Sequence, residues 1–138
     1  MTHTALITGA SRGLGRTLAD FLAARGYDLI ITARDANALH PVADELRSHG
    51  TKVTAVPGDV RDAAHRTALA AAAEASGRLD LLVNNASILG PSPQPFLSDY
   101  PLEVLENVFE INVLAPLGLV QAALPLLKRS GGTVINIS

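Results

Sequence analysis

Residues Thr8 to Gly15 read Thr-Gly-Ala-Ser-Arg-Gly-Leu-Gly, between an apolar run, Ala5-Leu6-Ile7, and a stretch with helical apolar spacing. The glycines therefore fall at the turn from a first strand into a first helix. Glycine at positions 9, 13 and 15 permits backbone angles closed to other residues and lets the main chain approach a phosphate. It also leaves the first N–H groups and the positive dipole end of the helix aimed at that anion. An isolated glycine turn carries little information, but strand, turn and helix in this order select a nucleotide pyrophosphate as the partner. The candidate phosphate cradle is Gly9, Ser11, Arg12, Gly13, Leu14 and Gly15.

On either side of this turn, strand-like apolar runs alternate with helix-like segments. Strands are expected at Thr4 to Ile7, Asp28 to Ala33, Val53 to Val56, Leu81 to Asn84 and Thr133 to Ile137. Helices are expected at Gly13 to Arg25, Ala36 to His49, Ala63 to Ser76 and Pro101 to Lys128. Strand then helix, repeated, predicts an α/β domain built on a parallel sheet with right-handed crossovers. Gly26 and Gly50 end the first two helices, Asp35 and Asp62 are N-caps, and Pro91, Pro93 and Pro95 stiffen the loop after the fourth strand.

At 138 residues the chain suits one domain, spanning 1–138, with no linker, repeat or charge block. A formal charge of -2 with 11 scattered basic residues gives no footprint for nucleic acid. With no cysteine, disulfides, thiolate metal sites and cysteine nucleophiles are excluded. No basic-then-apolar leader and no apolar stretch of membrane-spanning length is recognised, so the expectation is a cytoplasmic protein with no membrane partner. The 4 histidines lack metal-ligand spacing and are expected to be solvated surface residues, and no metal is predicted. Glu103, Glu106 and Glu110 follow helical spacing and mark a solvated helix face.

The spacing Gly9-x-x-x-Gly13-x-Gly15 behind Thr8 differs from the common dinucleotide fingerprint and resembles the classical short-chain dehydrogenase/reductase family. Further matches follow in chain order: Asp59-Val60 after the third strand, Asn84-Asn85-Ala86 after the fourth, Asn112 in the long helix, and Val134 to Ser138 as the fifth strand. The resemblance covers the whole chain. It implies a doubly wound, three-layer, Rossmann-type α/β domain with strand order 3-2-1-4-5, lacking the family's C-terminal strands and helices. It further implies that Asp59 and Val60 bracket an adenine ring, that Asn85 lies nearest the ribose, and that Ala86 lines the cofactor. Ser87 stands where the family usually has glycine and would narrow the nicotinamide side.

Cofactor choice follows from the end of the second strand. NAD binders carry an acidic residue there for the ribose 2′-hydroxyl, whereas NADP binders need a cation for the 2′-phosphate. Here the acidic position is Ala33, followed by Arg34, and Arg12 in the glycine loop supplies a second guanidinium. Both point to NADP(H), with Asp35 assigned to helix capping.

Asn112 precedes Pro116 by four residues, and proline has no N–H to donate to the Asn112 carbonyl. The helix is therefore expected to be irregular there. In the resembling family this asparagine holds a water that relays protons to the catalytic lysine, which makes Asn112 the candidate catalytic residue. The family's Tyr-x-x-x-Lys pair is missing, since Tyr27 and Tyr100 are followed four residues on by Ile31 and Val104. The catalytic serine falls either at Ser138 or one residue beyond it.

The resemblance thus implies the cofactor half of an NADP-dependent oxidoreductase moving hydride between nicotinamide and a small-molecule carbonyl or alcohol, in a homo-oligomer. A noncatalytic NADP-binding or interaction module is the alternative. The fifth strand is expected as an open sheet edge, and the long helix is expected to expose Leu117, Val120, Leu124 and Leu127.

Overall fold

A computed structural model describes residues 2–138. Five strands, β1 (Thr4–Thr8), β2 (Asp28–Thr32), β3 (Val53–Ala55), β4 (Leu81–Asn84) and β5 (Thr133–Asn136), form one sheet in the order β3-β2-β1-β4-β5. All pairings are parallel, and Leu6 of β1 stands level with Ile30 of β2 and Leu82 of β4. The doubly wound α/β architecture and strand order are those expected.

A parallel central strand is covered on both faces, and every residue of β1 is buried. Successive side chains then serve opposite layers. Ala5 and Ile7 join Ala19 and Leu22 of α1 (Gly13–Ala23) and Leu39 and Leu46 of α2 (Ala36–Arg47). Leu6 faces the other way, toward Leu69 and Ala73 of α3 (Ala63–Ser76) and Leu119, Ala123 and Leu126 of α5 (Ala115–Ser130). Asp35 and Asp62 cap α2 and α3 by accepting from Asn37 N (2.9 Å) and Ala64 N (3.0 Å). Gly26 and Gly50 follow the ends of α1 and α2 with positive φ.

The expected helix from Pro101 to Lys128 has three parts: α4 (Leu102–Phe109), a π-helical turn (Glu110–Leu114) and α5. The irregularity anticipated at Pro116 takes the form of that widened turn, which absorbs the missing N–H without ending the helix. The combined rod, Leu102–Ser130, is long and apolar enough to cross a membrane, contrary to the expectation that no stretch is. Its inner residues Ile111, Ala115, Leu119, Ala123 and Leu126 are nevertheless buried in this domain, as in the core helix of a globular protein.

The outer face of the rod also differs from expectation. Leu127 is buried, and Val120 packs partly against the core. Leu117 and Leu124 are exposed, and with Leu102, Leu105, Phe109 and Val113 they form one apolar stripe at spacings of three, four and seven. The periodicity is local, but which side faces in depends on how the π turn rotates α5 against α3. β5 is an open edge, with Ile135 and Ile137 exposed.

Candidate functional site

At the carboxyl ends of β1, β2 and β4 the chain leaves a cleft of about 320 Å³. Crevices in doubly wound sheets form here because strand order reverses about β1 and successive crossovers leave to opposite faces. One wall is the glycine turn, where Gly9, Ser11, Arg12 and Gly13 line the cleft. Gly9 and Gly13 have φ of +64° and +57°, a region where side chains are strained. Gly15 has no such angle, so its predicted role changes. A Cβ there would lie 2.2 Å from the Gly9 carbonyl oxygen and 2.6 Å from Asn85 Nδ2. Close approach, not backbone freedom, requires that glycine.

No side chain caps the start of α1, and no acidic residue occupies its first turn. Its free N–H groups are therefore available to an anion. Gly15 and Leu14 themselves do not line the cleft: Gly15 is buried against the turn, and Leu14 is half exposed on the helix.

The turn is stitched to β4. Thr8 Oγ1 accepts from the backbone N–H groups of Asn85 (3.0 Å) and Ala86 (2.9 Å). Asn85 Nδ2 donates to the carbonyls of Thr8 (3.2 Å) and Gly9 (3.1 Å). Asn85 and Ala86 line the cleft with Ser87, and Asn84 Nδ2 donates to Asn136 Oδ1 (2.9 Å), linking β4 to β5.

Across the cleft Ala33 and Arg34 follow β2. Among the described residues, neither Arg12 nor Arg34 has a side-chain hydrogen bond or ion pair, whereas Asp35 is engaged as a cap. Two exposed guanidinium groups thus line the cleft without a direct side-chain partner among the described residues. Asp59 and Val60 complete that side. Asp59 is gripped by Arg61, whose Nε and Nη2 reach Asp59 Oδ2 at 3.0 and 2.6 Å, and Arg61 Nη1 donates to Asn107 Oδ1 on α4 at 2.5 Å. The Arg61 hydrogen bonds hold the Asp59 carboxyl below its ordinary 3.8, and the charge of Arg34 adds to the effect.

Asn112 lies outside this cleft, in an adjoining apolar groove of about 850 Å³ shared with Val113, Leu117, Ile137 and Ser138. From the π turn its side chain accepts from Ile88 N (2.9 Å) and donates to Ile88 O (2.8 Å). Both hydrogen bonds pin the segment after β4, so Asn112 sits where the helix irregularity meets the cleft wall.

Thr32, Gly58, Ile88 and Ile111 also line the cleft, though sequence reasoning did not single them out. Thr32 and Gly58 were within reach of it, because they immediately precede Ala33 and Asp59. Ile88 and Ile111 have no local signal.

His65 is a further correction. Expected on the surface, it is only 8 % exposed, and its Nε2 lies 2.8 Å from Thr32 Oγ1. His49 is also engaged, with Nε2 2.8 Å from Asp20 Oδ1. Burial pushes the His65 imidazole below its ordinary 6.5, outweighing the carboxylates of Asp62 and Asp59. As pH falls through that ordinary value, the unfolded chain takes up a proton that the folded ring refuses, so stability is full above it and declines below it. The urea midpoint is expected to drop between about pH 7 and pH 5 and to drop less in His65→Gln, since glutamine does not titrate. An identical drop in both proteins would remove His65 burial as its cause.

A strand, a glycine turn without a capping side chain, and a cleft at the reversal of strand order together describe a dinucleotide site. The family model for short chain dehydrogenase matches residues 3–138. The chain belongs to the short-chain dehydrogenase/reductase family. It is 41% identical over 139 residues to a rhamnolipids biosynthesis 3-oxoacyl-[acyl-carrier-protein] reductase of Pseudomonas aeruginosa, covering 96% of this chain and 53% of that protein. Among solved structures, an alcohol dehydrogenase of the archaeon Thermococcus sibiricus, complexed with 5-hydroxy-NADP, is 34% identical with a TM-score of 0.89, covering 97% of this chain and 57% of that one. A metagenomic short-chain oxidoreductase in complex with NADP is 33% identical, also with a TM-score of 0.89, covering 99% and 62%. This short-chain dehydrogenase/reductase chain spans about half the length of the curated relatives it matches.

Proposed function

We propose that residues 1–138 form the NADP-binding half of a short-chain oxidoreductase that moves hydride between nicotinamide and the carbonyl or alcohol carbon of a small molecule. Arg12 and Arg34 line the cleft without a side-chain hydrogen bond or ion pair among the described residues, and with Ala33 where NAD binders carry an acid they carry this reading. The NADP and NADP-analogue complexes of similar proteins support it. A bound nicotinamide cofactor supplies the hydride. The uncapped first turn of α1, with Gly9, Ser11 and Gly13 on the cleft and Gly15 packing the turn against Asn85, receives the pyrophosphate. Arg12 and Arg34 neutralise the 2′-phosphate with charge-assisted hydrogen bonds, and Asp59 and Val60 flank the adenine. Asn85 and Ala86 hold the ribose side against the glycine turn.

Asn112 braces the segment after β4 through Ile88 and offers main-chain carbonyls at the π turn for a proton-relaying water. Without a Tyr-x-x-x-Lys pair in these residues, a polypeptide confined to them binds cofactor but does not reduce carbonyls. The apolar stripe from Leu102 to Leu124 supports assembly into a homo-oligomer. The absence of cysteine suits a reducing, cytoplasmic setting.

Titration calorimetry on a folded sample tests the cofactor: NADPH is expected to bind about tenfold or more tightly than NADH, the scale of one charge-assisted hydrogen bond. Equal affinities would overturn the NADP assignment.

A further inference from the structure

We infer that His65 is a positioning residue for the adenosine end of the cleft, holding the ends of β2 and β3 that form its wall in register through Thr32 and Gly58. The inference rests on the NADP reading of that cleft and adds a residue that does not itself touch the cofactor.

Thr32 closes β2, and Gly58 lies in the loop after the adjacent strand β3; both line the same side of the cleft. The His65 ring contacts both. Its Nε2 lies 2.8 Å from Thr32 Oγ1, and a Cβ built on Gly58 would fall 2.3 Å from its Nδ1. The imidazole therefore occupies the volume that any other residue at position 58 would claim. Gly58 N also donates to Ala33 O at 3.0 Å, so the two strand ends are tied directly as well as through the ring.

Arg34 stands two residues beyond Thr32, and Asp59 stands one beyond Gly58. A shift at the ring is thus passed within one or two peptide units to the groups assigned to the 2′-phosphate and the adenine. Thr32 is fully buried, and its hydroxyl needs a partner inside the fold. A purely apolar residue at position 65 would fill space but leave that hydroxyl unpaired and the placement of the two strand ends unspecified.

The test uses the protein at its natural length and neutral pH, with NADPH and adenosine 2′,5′-bisphosphate as calorimetric probes and thermal melting as the control for folding. The second probe carries only the adenosine end. His65→Ala is expected to weaken both probes about tenfold, the size of one buried hydrogen bond with its cavity. His65→Gln, whose amide reaches the Thr32 hydroxyl, is expected to recover most of the loss. Thr32→Val is expected to weaken both probes similarly, and adding His65→Ala to it should cost little more.

A purely structural role for His65 predicts a lower melting temperature with unchanged affinity for the adenosine probe, and that result overturns the inference. Should His65→Ala not fold, Thr32→Val and His65→Gln decide: wild-type affinity in Thr32→Val, or no difference between His65→Gln and Thr32→Val, overturns it. A wild-type protein that binds neither probe overturns the NADP reading and this inference together. Tight wild-type binding unaffected by the variants overturns this inference alone.

Discussion

Gly15→Ala is expected to lower both stability and NADPH affinity. The new Cβ would sit 2.2 Å from the Gly9 carbonyl oxygen and 2.9 Å from its carbon, which are backbone atoms that no rotamer change removes. Overpacking of this kind typically costs about 1–3 kcal/mol, against which alanine's better helix propensity returns about 0.5–1 kcal/mol. The larger effect falls on binding. Relief requires the Gly9 turn to move away from Asn85, and the N–H groups aimed at a pyrophosphate move with it. Loss of two charge-assisted hydrogen bonds is worth about 3–6 kcal/mol, so affinity should fall more than a hundredfold.

Gly13→Ala is the internal control. Its Cβ meets nothing within 4 Å, but its φ of +57° imposes a strain of about 1–2 kcal/mol with no collision. Melting and calorimetry on both variants check the account. Equal losses at the two glycines would mean that close packing against Gly9 is not what position 15 demands.

Arg34→Ala is expected to reduce the preference for NADPH over NADH by about 1–3 kcal/mol, the range for a charge-assisted hydrogen bond to phosphate. NADH affinity should scarcely change, because the guanidinium is assigned only to the 2′-phosphate. Arg12→Ala is expected to act in the same direction from the opposite wall. Since both would serve one phosphate, the double variant should be non-additive. Calorimetry with the two cofactors on each variant reads this directly, and a parallel loss of NADH and NADPH affinity would place Arg34 on a different part of the ligand.

Much of the fold is local and therefore readable without coordinates. Alternation of fully apolar runs with helical periodicity specifies a parallel sheet between helix layers, because each strand must bury both faces. Asp35 and Asp62 lie within two residues of the N–H groups that they cap, so their roles follow from sequence neighbours alone. The glycine turn is readable for the same reason.

Other features depend on residues far apart in the chain, and local pattern carries no information about them. Ile88 and Asn112 are separated by 24 residues, Thr32 and His65 by 33, and Arg61 and Asn107 by 46. His65 looked like a surface residue because nothing around it in α3 reports the end of β2 lying against it. Leu127 looked exposed because helical spacing names a face without saying which way it turns, and packing of α5 on α3 after the π turn settles that.

The doubly wound sheet, its family and the elements that carry the glycine turn follow from periodicity and short-range backbone chemistry, which the amino-acid order carries alone. What joins at the cleft floor and which helix face stays outside become visible only in the packed fold. Those outcomes arise from contacts between distant segments, whose pairing is a property of the packed whole.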